Sequence, residues 1–332
     1  MAIPKRAGCD AQIDGTTLGS PVSGAPEWPL SPGELRARIY AVRMDLEAVR
    51  EYLHPAPLLP HRQPSPGGQV AGVVEAIGEG GSSSLLGRWV VASVATGALT
   101  RSLRLPESLA VRIPKRIRPE QALTVAANFL PAYQLLHRLA DLNEGDRILL
   151  LDPRSGLGSA LVSLAMRMGL FIYGTFLKGT YPSAEAQRLT PIDAGTRDVD
   201  AVIRRKHPKG VHAFFDLSGG GHLSRFLPAL RRDGEGFVVE SLGKGSVWPP
   251  FACRALFRTL YFNLIHRRHV ETYEVHRYAR HHPERTRKDL RRLLHWLKEG
   301  KIQVADEPLL SLGRPDLLAK ALAAGIHPAI SP

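Results

Sequence analysis

Gly145-Asp146-Arg147-Ile148-Leu149-Leu150-Leu151-Asp152-Pro153-Arg154-Ser155-Gly156-Leu157-Gly158 is the stretch on which the fold turns. A short apolar run, Ile148 to Leu151, has the length and composition of a buried strand. It meets a small glycine-containing turn, and an apolar-striped helical segment follows, reaching Met168-Gly169. Strand, tight turn and helix in this order form the arrangement that holds a pyrophosphate. Glycines let the backbone come close, and the free N–H groups at the helix start attract negative charge. The stretch therefore predicts a dinucleotide bound near the middle of the chain, with the remainder supplying a substrate.

Working outward, 332 residues accommodate about two domains with a sizeable buried core. The two cysteines, Cys9 and Cys253, cannot build a disulfide framework or a four-cysteine zinc site, and they fit a reducing compartment. Met1 to Ser20 is polar and glycine-containing, without an apolar signal core, and no later run reaches membrane-spanning length. The expectation is a soluble, cytoplasmic protein that makes no membrane contact. The excess of 44 Lys and Arg over 31 Asp and Glu gives a formal charge of +13. Much of it falls between Arg254 and Arg292. Such a surplus reads either as a site for anionic partners or as a solvated arginine-rich surface. Tyr261, Phe262, Tyr273 and Tyr278 are interleaved with those arginines, as in segments that track a phosphate backbone. Dedicated nucleic-acid motifs are absent from the sequence, so nucleic acid is not the expected partner.

Residues 1–27 read as a loose leader rich in Gly, Pro and Ser. Leu35 to Val42 alternates as a half-buried strand does, and a proline-rich loop follows. Val70 to Gly78 and Arg88 to Ala92 are two further strands around a Gly/Ser turn, which together suggest a small β-barrel-like unit. From about residue 120 the texture becomes alternating helix and strand. Pro119 to Arg138 reads as mostly helical, interrupted near Pro131. Phe171 to Phe176, Val211 to Leu217 and Gly236 to Glu240 read as later strands. Leu290, Leu293, Leu294 and Leu297 fall at helix spacing, with Gly300 where a C-terminal cap belongs.

A β-rich N-terminal unit, a mid-chain dinucleotide-binding unit and a return segment resemble the medium-chain dehydrogenase/reductase superfamily from about Pro29 to the C-terminus. Ala71-Gly72-Val73-Val74-Glu75-Ala76-Ile77-Gly78, Leu142 to Leu150 and Phe215-Asp216-Leu217-Ser218-Gly219-Gly220 carry that resemblance. Ser155-Gly156-Leu157-Gly158 and Asn128-Phe129-Leu130-Pro131-Ala132-Tyr133 are closest to its 2-enoyl thioester reductase branch, with the quinone oxidoreductase branch as near neighbour. The resemblance implies an α/β fold: a GroES-like β-barrel substrate domain over 28–125 plus 270–332, and a doubly wound parallel Rossmann domain over 126–269. It also implies a homodimer.

Zinc enzymes of the superfamily carry Gly-His-Glu where this chain reads Gly67-Gly68-Gln69, so no metal site is expected. The cofactor set implied is Asn128, Arg154, Ser155, Gly156, Leu157, Gly158, Lys178, Ser218 and Gly219. Leu161 stands where the third glycine of G-x-G-x-x-G would be, so the turn alone is a moderate signal. The second strand runs into Leu177-Lys178 without the acid an NAD site uses, which favours NADPH; Lys178 reads equally as plain surface. Arg154 could reach a cofactor phosphate, whereas Asp152 opposes one unless it is paired. Pro131 lacks the hydroxyl and N–H that the branch's threonine supplies. Tyr52 is the catalytic candidate, because a phenol can hydrogen-bond a developing enolate; it reads also as an ordinary core or loop tyrosine. The implied activity is zinc-independent, NADPH-dependent hydride transfer to the conjugated double bond of an enoyl thioester, quinone or enone. An acidic acyl carrier protein could meet the basic surface. The alternative is a degenerate, non-catalytic family member that serves as a binding module for an acidic partner.

Overall fold

The computed structural model describes residues 11–13, 16–18, 29–43, 66–98, 100–176, 189–217, 223–239, 269–304, 309–311 and 329–331. The chain divides into two compact units, Met1–Ala127 with Ala279–Pro332, and Asn128–Tyr278.

In the first unit, β1 (Ala11–Ile13) and β2 (Thr16–Leu18) pair antiparallel. The main sheet contains β3 (Glu34–Arg43), β4 (Pro66–Ile77), β5 (Trp89–Thr96), β6 (Ser102–Pro106) and β7 (Val111–Arg112). It also takes in β14 (Leu309–Ser311) and β15 (Ala329–Ser331), in the order β14-β15-β3-β4-β5-β7, with β6 on β3. Alternation decides what each face buries. Leu35, Ala37 and Ile39 point inward with Val70, Val74, Val90, Ala92 and Val94 to form one core. Gly72 is required where β3 and β4 approach, since a Cβ there would lie 2.3 Å from the Arg38 carbonyl oxygen. The unit also holds α1 (Pro119–Thr124), which packs on β3, β4 and β5.

The second unit is built on β8 (Arg147–Leu151), β9 (Phe171–Phe176), β10 (Thr190–Asp193), β11 (Val211–Asp216), β12 (Leu230–Val239) and β13 (His269–Tyr273). All five neighbouring pairs are parallel, in the order β10-β9-β8-β11-β12-β13. Numbered from β8, this is the 3-2-1-4-5-6 order of a doubly wound Rossmann sheet. The helices are α2 (Leu130–Gln134), α3 (Gly156–Arg167), α4 (Val199–Lys206) and α5 (Leu223–Phe226). Parallel strands buried on both faces need near-continuous apolar runs, which Ile148 to Leu151 supplies, each residue no more than 3% exposed. Phe215 and Phe237 stack at 5.4 Å, and Tyr273 Oη donates to Gln134 Oε1 at 2.5 Å.

The second unit runs to Tyr278, and β13 continues its parallel ladder by pairing with β12. One expectation is corrected. Pro131 does not interrupt the helical path between Pro119 and Leu139. Wide π turns at Val125–Phe129 and Leu135–Leu139 flank α2, and Pro131 sits near the start of α2. A wide turn absorbs the N–H and the space that proline denies an α-helix. After α6 (Val275–His281), α7 (Pro283–Lys298) buries Leu290, Leu293 and Leu294. It ends at Gly300, φ 70°, with Lys301 N donating to the Trp296 carbonyl at 2.8 Å.

Candidate dinucleotide-binding site

The site starts from β8, whose last buried residue, Leu151, delivers the chain to Asp152. Asp152 has φ 55° and is the one non-glycine residue with positive φ among the described residues. This left-handed step turns the chain sharply into Pro153, Arg154 and Ser155. Ser155 caps α3: its Oγ accepts from Gly158 N at 3.1 Å. Gly158 is obligatory, because a Cβ there would lie 2.2 Å from the Pro153 carbonyl oxygen. Gly156 packs on the Asn128 amide, whose Nδ2 would lie 2.4 Å from a Cβ there, a looser constraint because that side chain can shift. The structure therefore brings Asn128, Ser155, Gly156, Leu157 and Gly158 together at one helix start. Ser155 and Gly156 are exposed there. The first-turn N–H groups of Gly156 and Leu157 have no preceding helical carbonyl to bond, which makes them donors for an anion.

Arg154 is turned back on its neighbour. Its Nε donates to Asp152 Oδ1 at 2.5 Å and its Nη2 to Oδ2 at 3.0 Å. That two-pronged hydrogen bond raises the guanidinium's proton affinity, and the charge of Asp152 adds to it. The pair neutralises Asp152 and leaves two fewer guanidinium protons for a phosphate. Thr175 on β9 supports the turn, with its carbonyl 3.3 Å and its Oγ1 3.4 Å from Asp152 N. Thr175 was not among the residues singled out in the sequence; the available signal was an aliphatic hydroxyl in the otherwise apolar and aromatic run Phe171 to Phe176. Asp216, the last residue of β11, pairs in register with Leu151 and is wholly buried beside the turn.

Tyr52, Lys178, Ser218 and Gly219 lie outside the described residues. Among the described residues no group of three His, Cys, Asp or Glu side chains is placed to hold a metal ion. Nor is any described helix long and apolar enough to cross a membrane.

No family model matches the chain. The human synaptic vesicle membrane protein VAT-1 homolog is 29% identical over 240 residues, covering 71% of this chain and 60% of that protein. The rat and mouse counterparts are matched over 51% of their lengths, so the chain spans half to three-fifths of these relatives. The structure of a Pseudomonas syringae quinone oxidoreductase superposes with TM-score 0.74 and 22% identity, over 97% of this chain and 99% of that one. That of Escherichia coli quinone oxidoreductase in complex with NADPH gives 0.72 and 18%, over 94% and 95%. The fold is that of these quinone oxidoreductase structures. The curated relatives and solved structures that the chain resembles are VAT-1 proteins, quinone oxidoreductases and enoyl reductases.

Proposed function

We propose that the protein is a zinc-independent, NADPH-dependent reductase acting on a carbon–carbon double bond conjugated to a carbonyl, in an enoyl thioester, a quinone or a related enone. The observation that carries this reading is the turn at Ser155–Gly158, where Gly158 is too crowded for a side chain, Gly156 packs on Asn128, and the helix N-terminus is exposed. A diphosphate fits it: the N–H groups of Gly156 and Leu157 would hold its oxygens, while Ser155 keeps the first turn closed. Asn128, packed on Gly156, would orient what lies above the turn. When bound, the dihydronicotinamide supplies a hydride, two electrons and one proton, to the β-carbon of the acceptor. The π pair moves toward the carbonyl oxygen and the α-carbon then gains a proton. Tyr52 is the residue assigned to hydrogen-bond that oxygen or pass that proton. Lys178, Ser218 and Gly219 complete the assigned cofactor set. A cytoplasmic homodimer, with an acidic acyl carrier as a possible bearer of the substrate, belongs to the same reading.

One observation favours a second reading. Arg154 gives two of its donors to Asp152 rather than to a phosphate, as expected of a member that has kept the fold and serves as a binding module for an acidic partner. Turnover separates the two. NADPH consumption, followed by its absorbance, is measured against a panel of a quinone, a cyclic enone and a short enoyl thioester. The reductase reading expects oxidation with at least one acceptor, and loss of turnover in Tyr52→Phe with NADPH binding retained. NADPH binding without oxidation by any acceptor supports the binding module instead. Unchanged turnover in Tyr52→Phe removes the tyrosine's role.

A further inference from the structure

Buried polar side chains are rare in the sheet of the first unit, and three of them form a single row. Arg43 on β3 is in register with Gln69 on β4, and Gln69 with Ser93 on β5. Cross-strand partners of antiparallel strands share a face, with Cβ atoms about 4.5–5.5 Å apart. The neighbouring row, Val42, Val70 and Ala92, belongs to the apolar core, so Arg43, Gln69 and Ser93 occupy the opposite face. They are 6%, 8% and 6% exposed. α1 packs over this part of the sheet and adds Thr124, 4% exposed.

The hydrogen bonding of this row is incomplete. Arg43 Nη1 donates to Thr124 Oγ1 at 3.1 Å, and Thr124 Oγ1 donates to the Glu120 carbonyl at 3.2 Å, which uses up that hydroxyl's proton. Ser93 Oγ is buried with no hydrogen-bond partner. Gln69, 8% exposed, lies beside it in the row. Buried hydroxyls are ordinarily hydrogen-bonded, so the unpartnered Ser93 Oγ points to something that normally completes it. Both offer a donor, the Ser93 O–H and the Gln69 N–H, and the Arg43 guanidinium gives the row a positive field.

We infer that Gln69 and Ser93 form a donor pair for a carbonyl oxygen of the substrate, with Arg43 favouring negative charge on it. The pair would hold the oxygen onto which charge moves as the conjugated double bond is reduced, which restricts substrates to carbonyl-conjugated alkenes and quinones. This inference rests on the reductase reading but is tested without turnover.

The probe is 2-cyclohexen-1-one carrying carbon-13 at its carbonyl, added to the full chain without reduced cofactor and followed by isotope-edited infrared spectroscopy. The bound carbonyl stretch is expected to fall below its value in water, and to move back toward higher wavenumber in Ser93→Ala and in Gln69→Leu. Ser93→Cys, similar in size and a weaker donor, is expected to lie between, and it serves if Ser93→Ala does not fold. In turnover, Ser93→Ala should lower kcat/KM about 100-fold, the scale of one lost oxyanion donor, with NADPH affinity unchanged. A carbonyl stretch that none of the variants moves, or no bound probe at all, overturns the inference. So does a result in which the variants change only thermal stability, since the row would then hold an interior water. Absence of NADPH oxidation with a shifted carbonyl stretch would instead sink the reductase reading and leave the donor pair standing.

Discussion

Asp152 governs what the glycine turn can offer a phosphate. Its φ of 55° makes the turn, and its carboxylate holds Arg154 through two hydrogen bonds. Asparagine tolerates the left-handed region well, so Asp152→Asn keeps the backbone while removing the charge and loosening the arginine. It should tighten NADPH binding about threefold at low salt, the scale of one charge near a helix N-terminus. Arg154→Ala, which leaves the carboxylate unpaired, should weaken binding by at least as much. A fluorescence titration in which neither variant changes Kd would show that the pair stands apart from the ligand. Gly158 makes a different demand, since a methyl group there would meet the Pro153 carbonyl oxygen at 2.2 Å. Gly158→Ala should cost about 1–3 kcal/mol, read from urea unfolding; an unchanged midpoint would contradict the crowding.

Among the elements, the seam between β8 and β11 carries a titratable group. Arg147 N donates to His212 Nδ1 at 3.1 Å, and His212 Nε2 faces Asp146 Oδ1 at 3.0 Å. With Nδ1 accepting, the proton of the neutral ring sits on Nε2. Burial lowers the imidazole's proton affinity; Asp146 pulls it up and Arg147 lowers it further, for a net shift below the usual value. The folded protein thus keeps His212 neutral at a pH where the unfolded chain has begun to take up the proton. Its contribution is full above about pH 6.5 and is lost as pH falls from there. The expected result is a Tm that declines between about pH 7 and pH 5, with a flatter profile in His212→Asn. Parallel profiles would remove His212 from the account. Elements were the scale most legible in the sequence. Phe171 to Phe176 and Glu34 to Arg43 are strands because their apolar period admits little else, and Gly300 ends α7 because only a left-handed residue fits there. Less legible was whatever depends on distant partners. β13 reads as an exposed mixture of His, Glu and Thr, and only its ladder with β12 makes it a strand of the parallel sheet. Likewise, nothing local in Ser93 announces that its hydroxyl is buried without a partner.

For the whole molecule, the central claim is that a Rossmann unit with a tightly specified glycine turn binds a phosphorylated dinucleotide. A formal charge of +13 should assist any such anion and make its binding weaken with salt. The most direct test is a fluorescence titration of the full chain with NADPH, run beside NADH at the same ionic strength. Saturable NADPH binding, tighter than NADH and weakened in Asp152-retaining Arg154→Ala, is the expected result. No binding of either cofactor at millimolar concentration would contradict it.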